Sequence, residues 1–590
     1  MVSKRVPIVR LRTALFLLVG VAVLGLVACA VRSTTPASTP APTQPAPPTA
    51  PPATAVPTPG PATPAPAPAY QGKPLANFST DDFSGSARCA MCHSPLKDSA
   101  GVDVSIDAAW RSTMMANAAR DPLFLASVGR EIEQTPALRA TIEEKCSGCH
   151  MPMAFTQTKV QGGTPGMFEA GFLNPQNALN PAAMDGVSCS LCHQIAERNL
   201  GKRESFSGGY VVDTSTTPPD RWVYGPFPAP EQQMMRTSTG FTPVEGKQMG
   251  DAALCGACHT LFTPYVDATG TVLGEFPEQT PFLEWQHSAY SVQARPCQSC
   301  HMPAAANPVL ISTIKTTPPL VERSPFSLHY FVGANALMLN VHRDNAAELQ
   351  LTCSMANLDA SLERVLNQVQ GRAASLSMAS TQANSSSLEV VLELKNLAGH
   401  KLPTGFPSRR MWLHVTVTDA ASKLVFESGQ PQPDGTIAGD DEDADEKAFE
   451  PHYDVITQPG QVQVYQSVMA NSDGQVTRRL LRGSSYVKDN RLLPQGFDKT
   501  TAGADFAVRG EAAQDANFQG GADRVTYRID VGSAQGPFTI TAELLYETLA
   551  YRFAQDVTSG SADSAKLFSG YYASADKAPL VMASVQQTGK

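Results

Sequence analysis

The chain has 590 residues and a formal net charge of −9 at pH 7. This length accommodates two to four domains, and the acidic balance argues against nucleic acid or anionic lipid as an electrostatic partner. Hydrophobic residues make up 42 % of the chain, which is enough for packed cores, and 47 residues are proline.

Residues 1–29 have the pattern of an export signal. Four basic residues among the first twelve precede the apolar run Leu15–Ala28, as in a secretory signal rather than a membrane-spanning helix. The run ends in Leu26-Val27-Ala28-Cys29, which looks like a lipobox. Cleavage there would leave Cys29 as a lipidated N-terminus that holds the protein at a membrane. An uncleaved anchor and an ordinary signal peptide are the alternatives, and all three predict export, so that the protein faces the periplasm or the cell exterior.

Residues 30–74 consist mainly of proline, alanine and threonine, with hardly a charge. Such a segment cannot bury enough apolar area to fold, and it favours polyproline II. At about 3.1 Å per residue it would act as a disordered spacer up to roughly 120 Å long.

Ten of the 12 cysteines form five C-x-x-C-H motifs. The paired cysteines are Cys89 and Cys92, Cys146 and Cys149, Cys189 and Cys192, Cys255 and Cys258, and Cys297 and Cys300. The histidines that follow them are His93, His150, His193, His259 and His301.

The spacing of each motif fits covalent attachment of haem. Cysteines at i and i+3 lie on one face of a helical turn, where their thiols can bond to the two vinyl groups of the porphyrin. The next residue, histidine, can then donate its imidazole to the iron. Redox and structural disulfides have no need for the histidine, and zinc would use the pairs two by two, whereas five is odd. The sequence therefore predicts five covalently bound c-type haems.

Each iron also needs a ligand on its far side. The histidines outside the motifs are His287, His329, His342, His400, His414 and His452. We expect His329, in an apolar and aromatic stretch, and His287, just ahead of the fifth motif, to be ligands. The alternatives are a core position for His329 and a surface position for His287. His342 could be either, and His414 alternates with strand residues, which indicates a cross-strand or surface position.

Methionine is the other candidate ligand, and it would raise the potential of a haem. Met114 and Met115 follow the first motif, where core filling is the alternative. Met151 and Met153 directly follow a motif histidine, and we expect them to pack at the ring edge.

The predicted fold is an α and loop-rich multihaem cytochrome c domain followed by an all-β C-terminal domain. The haem domain is predicted over 75–345, and a helical connector that contains Cys353 as a buried structural thiol over 346–384. From 385 to 590, alternating runs such as LEVVLELKN and FTITAELLYETL indicate a β-sandwich.

Two loops of the β-sandwich carry unusual residues. Ala398–Arg410 (AGHKLPTGFPSRR) presents His400, Arg409 and Arg410. We expect it to face the haem domain, with His400 on an iron and the arginines on haem propionates; a rigid surface turn is the alternative. The acidic loop Gly439–Glu446 is expected to be solvated, with a calcium site as the alternative.

These motifs together resemble a family of exported multihaem c-type cytochromes, related in motif style to the nitrite reductase and hydroxylamine oxidoreductase group. The resemblance lies in WRSTMMANAARDP, DGVSCSLCH, EQTPFLEWQHSAYS, CQSCHMP, HYFVGANALML and GHKLPTGFPSRRMWLHV. In related haem domains a W-x-x-S-x-H segment supplies a distal histidine. Here Met115 fills that position after Trp110, which implies His/Met ligation, and after Trp285 it holds Tyr290, with His287 displaced.

The resemblance also bears on activity. Nitrite reductases of this group usually carry C-x-x-C-K at the active-site haem and have no β domain, which counts against nitrite reduction here. The sequence predicts a membrane-tethered electron carrier whose partners are redox proteins or other cytochromes. The alternatives are a multihaem oxidoreductase that acts on a small inorganic nitrogen or sulfur compound at a five-coordinate haem, and a β domain that binds the cell wall or a redox partner.

Overall fold

The computed structural model describes residues 69–589. The predicted export signal, the lipobox and the predicted linker up to residue 68 lie outside these residues. The end of the linker is already docked, because the hydroxyl of Tyr70 and the backbone N–H of Lys73 both donate to the carbonyl of Leu351, each at 2.8 Å.

The region that carries the five motifs contains short helices joined by irregular segments. Its helices are α1 (Ser86–His93), α2 (Ile106–Trp110), α3 (Pro122–Gln134), α4 (Arg139–His150), α5 (Pro152–Val160), α6 (Asn180–Met184), α7 (Cys189–Cys192), α8 (Gln233–Thr239), α9 (Ala252–His259), α10 (Pro281–Gln286), α11 (Ala289–Val292) and α12 (Gln298–His301). Two small sheets accompany them: β1 (Arg221–Gly225) pairs in parallel with β2 (Phe241–Glu245), and β3 (Leu261–Val266) is antiparallel to β4 (Val272–Gln279).

Local signals set the bounds of α3. Asp121 caps its N-terminus by accepting from the backbone N–H groups of Leu123 and Phe124, and Pro122 occupies the first turn. The helix ends before Thr135 and Pro136, since proline disfavours helical backbone in the residue before it. The next α-helix, α4, is therefore separate from α3, and it ends at the histidine of the second motif.

Two further helices lead into the β-rich region: α13 (Ala336–Asp344) and α14 (Met355–Val369). The helical pattern that begins at Asn345 in the sequence becomes helix only at Met355, because Ser354 forms a capping box with Asn357. Cys353 lies just before this cap and is fully buried.

The β-rich region begins at Ala374, before the predicted boundary at residue 385. Its strands are β5 (Ala374–Ala383), β6 (Ser387–Asn396), β7 (Arg410–Thr418), β8 (Leu424–Ser428), β9 (Val455–Ile456), β10 (Val464–Tyr465), β11 (Ser467–Ala470), β12 (Ser485–Asp489), β13 (Ala522–Asp530), β14 (Phe538–Glu547) and β15 (Leu580–Gly589). It also contains helices, so it is β-rich rather than all-β: α15 (Asp441–Ala444), α16 (Tyr551–Thr558) and α17 (Asp563–Ser574).

Nine of these strands form two larger sheets, and β11 pairs with β12 in a separate one. One has the order β5-β6-β13-β9, and the other has the order β10-β7-β14-β15, with β8 also paired to β7. Alternate residues of β6 are fully buried, as expected for a strand with one face on a core: Leu388, Val390, Leu392 and Leu394. They share one hydrophobic core with Leu413 and other buried residues of β7.

The motif region and the β-rich region share hydrophobic cores. Val332, Ala336 and Leu339 belong to the same core as the two larger sheets. In a second core, Ala126 of α3 lies with Phe568 of α17. The described residues consequently form one compact unit. Within them, no helix has the length and apolar character needed to cross a membrane.

Candidate haem centres

Each C-x-x-C-H motif lies at the end of a short helix. Four of the motif histidines are the last residue of their helix, and His193 is the residue that follows α7. The two cysteines of a motif are one helical turn apart, so their thiols project from the same side. Within residues 69–589, none of the ten motif cysteines is in a disulfide bond. The local geometry is the one that thioether attachment of haem requires.

The rings of four of the five motif histidines are oriented by backbone carbonyl groups. Nδ1 of His93 lies 2.6 Å from the carbonyl oxygen of Ile311, and Nδ1 of His193 lies 2.6 Å from that of Tyr224. The same contact links His150 to Ala118 and His301 to Val332. When Nδ1–H donates to a carbonyl, Nε2 keeps the lone pair that binds a metal.

Two motif histidines face a second histidine from a distant part of the chain. The ring centroids of His193 and His329 are 6.4 Å apart, and those of His301 and His400 are 6.2 Å apart, with 22° between the ring planes in both pairs. A metal–imidazole bond is about 2 Å long, so imidazoles on opposite sides of one iron have centroids roughly 6 Å apart. Both pairs therefore fit an iron between them.

The facing histidines are oriented in the same way as the motif histidines. Nδ1 of His329 lies 3.0 Å from the carbonyl oxygen of Ser327, and Nδ1 of His400 lies 2.8 Å from that of Lys401. Burial, together with the nearby His193, lowers the pKa of His329 to about 3. The ring is therefore neutral at neutral pH, as a metal ligand must be.

Each motif lies near at least one other motif. In three pairs a cysteine of one motif shifts the pKa of a cysteine of another: Cys89 with Cys189, Cys149 with Cys258, and Cys255 with Cys297. The first motif thus neighbours the third, and the fourth motif neighbours both the second and the fifth.

Backbone contacts fix the second and fourth motifs against each other. Gly208 donates its N–H to the carbonyl of Ala257 at 2.9 Å, and Tyr210 donates its hydroxyl to the carbonyl of Gly148 at 3.1 Å. Gly208 has φ +78°, and a Cβ atom there would lie 3.3 Å from Sγ of Cys149. A glycine at this position meets both the backbone and the space requirement.

The other two predicted distal ligands have different surroundings. Met115 is half-buried, and its carbonyl accepts from the N–H of Val187 at 3.0 Å. His287 is exposed, with Nδ1 at 2.8 Å from the carbonyl oxygen of Leu283 and its ring centroid at 4.5 Å from that of Phe506. Their roles as ligands stay predictions.

The methionines after the second motif are core residues. Met151 and Met153 are fully buried, and Sδ of Met153 accepts from the hydroxyl of Ser190 at 3.3 Å. This agrees with the expectation that they pack rather than reach an iron.

His342 has surroundings that the sequence did not reveal. It is fully buried on α13, and neither of its ring nitrogens has a hydrogen-bond partner among the described residues. Burial and the nearby Arg120 lower its pKa to about 4. A buried polar group without a partner is costly, so such a group calls for an explanation. In the sequence, the burial of His342 could have been predicted from its helical spacing from Met338 and Leu339, which places it on the buried face of the helix.

Arg410 and the acidic loop contact each other. The guanidinium of Arg410 is fully buried and bonds to Asp440 at 2.7 Å, to Asp443 at 2.9 Å and to Glu547. Another acid of the loop, Glu442, pairs with Arg478 at 2.7 Å. Arg410 is therefore not available for a haem propionate, and these acids are neutralised by arginine, not exposed as expected.

The remaining two histidines bond within the β-rich region. His414 lies between Glu427 at 3.0 Å and Glu543 at 3.1 Å, and Glu543 is its cross-strand partner, as its alternation with strand residues predicts. Nδ1 of His452 accepts from Gln463 at 2.8 Å, and its Nε2 lies 3.1 Å from Asp515.

A family comparison agrees with this chemistry. Residues 88–194 match the family described as cytochrome c554 and c-prime. Among solved structures, a penta-heme cytochrome c552 from Thermochromatium tepidum matches with 15 % sequence identity and a TM-score of 0.40, over 75 % of this chain and 83 % of that chain. No curated protein matches the chain significantly.

Proposed function

We propose that the chain is a multihaem c-type cytochrome, which carries electrons outside the cytoplasm through five haems while a lipid on Cys29 holds it at a membrane. When bound, each c-type haem supplies an iron that takes up and releases one electron. Other cytochromes or redox proteins are the proposed partners.

The observation that carries the proposal is the pair of facing histidines at two motifs. His329 lies across from His193 and His400 across from His301, at the separation that an iron between them requires. A histidine on each side leaves no position for a substrate, which suits electron transfer rather than catalysis at these two centres.

The close approach of the motifs supports the same function. In three pairs of motifs the cysteines lie near enough to shift one another's pKa, and the fourth motif takes part in two of these pairs. We infer that electrons pass between neighbouring centres and that the fourth centre connects the second with the fifth.

We assign two further features on the same basis. His342 is the candidate for an additional distal ligand, because it is buried and both of its ring nitrogens lack partners within residues 69–589. We assign the predicted β-sandwich to the two larger sheets, because residues of both enter one core. Because the loop with His400 follows β6, this β-sandwich completes a haem centre.

Substitution of the facing histidines tests the assignment. We expect His329→Ala and His400→Ala each to convert one low-spin ferric haem to high spin, measured by low-temperature electron paramagnetic resonance on the five-haem protein. His342→Ala should do the same if that residue is a ligand. His414→Ala is the control, since its ring bonds to two glutamates, and it should leave the spectrum unchanged.

Two outcomes would contradict the carrier function. Unchanged spectra in both His329→Ala and His400→Ala would show that these histidines do not ligate iron, and the carrier function would then lose its main support. A high-spin signal that integrates to one haem in the unsubstituted protein would instead favour an oxidoreductase with an open iron.

The membrane tether has its own test. Cys29→Ala should release the protein from the membrane fraction into the soluble exported fraction, because the lipid-bearing residue is lost. Five haems should still be counted by mass spectrometry. An N-terminal peptide of the unsubstituted protein that carries no lipid on Cys29, by mass spectrometry, would exclude the lipid anchor.

A further inference from the structure

Four charged side chains are buried together next to His400. We call them the Glu284 network: Glu284, Lys401, Asp489 and Arg491. Glu284 and Lys401 are 0 % exposed, and Arg491, the most exposed of the four, is 5 % exposed. Buried charges are costly unless each is paired, so the contacts within this group decide what it does.

Glu284 uses both carboxylate oxygens. Oε2 accepts from the backbone N–H of Lys401 at 3.0 Å and from the hydroxyl of Thr404 at 2.7 Å. Oε1 pairs with Nη1 of Arg491 at 2.9 Å. The same guanidinium bonds to both oxygens of Asp489 at 2.8 Å, and Nζ of Lys401 reaches Asp489 at 2.6 Å.

The network joins two regions of the molecule. Glu284 lies on α10 of the motif region, whereas its partners Lys401, Thr404 and Arg491 belong to the β-rich region. One carboxylate therefore holds the loop that follows β6 at both its backbone and a side chain. The residue that it holds by the backbone, Lys401, comes directly after His400.

The other side of the loop is fixed by close packing. A Cβ atom at Gly399 would lie 3.2 Å from Cγ of Tyr290 and 3.3 Å from Cδ1 of Trp285. Asn396 donates to the carbonyl of His400 at 2.8 Å. His400 is thus held between aromatic rings on one side and the carboxylate of Glu284 on the other.

We propose that Glu284 is a positioning residue for the fifth haem centre, which holds the loop so that His400 faces His301. This rests on the proposed function, in which His400 ligates the iron of that centre. Groups that orient metal ligands typically change metal affinity by about 10–100-fold when they are replaced. If the Glu284 network only stabilised the fold, replacing one of its members would not change ligand binding at one particular iron.

Carbon monoxide binding to the reduced five-haem protein tests the proposal, because the gas occupies an iron only where the distal ligand has left. Glu284→Gln keeps the size of the side chain but places an amide N–H₂ among donors. We expect its affinity for carbon monoxide at one haem to rise about 10–100-fold over the unsubstituted protein. Thr404→Val, which removes a single contact with Glu284, should give a smaller rise in the same direction.

His400→Ala and Asp443→Asn are the reference variants. His400→Ala should bind one additional carbon monoxide per chain. Asp443→Asn removes a buried charge that pairs with Arg410 in the same region, and it should bind no more than the unsubstituted protein. Haem content by mass and far-ultraviolet circular dichroism verify folding, and Thr404→Val remains informative if Glu284→Gln does not fold.

The outcomes distinguish the ligand role of His400 from the positioning role of Glu284. No additional binding in His400→Ala overturns the ligand assignment itself. Binding in His400→Ala but not in Glu284→Gln or Thr404→Val overturns the positioning role and leaves the ligand in place. Equal binding in Asp443→Asn and Glu284→Gln also overturns the positioning role, because general loosening would then explain the effect.

Discussion

The motif region and the β-rich region are built on different principles. In the motif region the helices are short, and each motif helix ends at or just before its histidine. In the β-rich region β6 and β7 place their alternate residues in one large core. Regular alternation lets the second region bury its own apolar surface, whereas the first combines little regular structure with five sites for large apolar rings. We infer that the motif region depends on its cofactors for folding more than the β-rich region does.

Production of the chain without haem attachment should have the largest effect on the difference in folded structure between the two regions. We expect the motif region to lose its folded structure, because the porphyrins supply much of its core. The strands from Ala374 to Gly589 should persist. Limited proteolysis followed by mass spectrometry would place the cleavage sites between residues 69 and 345. Equal protection of both regions would contradict the expected dependence on haem.

A cavity in the core of the β-rich region should have the next largest effect. Leu392 is fully buried in β6, and Leu392→Ala should lower the free energy of unfolding by about 2–5 kcal/mol, measured with urea. Leu424→Ala is the matched control, since Leu424 is 51 % exposed, and its effect should stay within about 0.5 kcal/mol. Equal effects of the two substitutions would show that this core does not carry the stability.

The ion network between the regions should make stability depend on acid pH. Burial alone would raise the pKa of Asp489, but Arg491 and Lys401 lower it to about 2 from 3.8. The stabilisation from this carboxylate is therefore fully present above pH 3.8 and is lost as the pH falls through 2, by about 2 kcal/mol.

Asp489→Asn is the variant that checks this effect. The free energy of unfolding of the unsubstituted protein should fall more steeply between pH 4 and pH 2 than that of the variant, as judged by urea unfolding at each pH. Identical slopes would exclude Asp489 as a source of the acid sensitivity.

The sequence predicts the motifs and part of their ligands because covalent haem chemistry fixes the local spacing. His329 and His400 could be selected from their flanking residues, and both face a motif histidine. Which motif each one faces depends on contacts between distant segments, which no local pattern contains. His342 was left open for a related reason, since its burial depends on the packing of α13.

The errors have similar physical causes. Arg410 and the acids Asp440 and Asp443 neutralise one another, but the sequence shows two separate charged segments, of which one was expected to bind haem propionates and the other to be solvated. The strands β6, β7, β13 and β14 follow from period-2 alternation, whereas β9 has only two residues and carries no periodic signal.

The position of His400 late in the chain has a consequence for biogenesis. Synthesis proceeds from the N-terminus, so His301 and its two cysteines emerge well before the loop that follows β6. His329 emerges soon after the fifth motif and can reach His193 early. Under the proposed ligation, the centre at His301 is completed only when the β-rich region has been made, so a chain that ends between residues 330 and 399 should bind an external ligand at that haem.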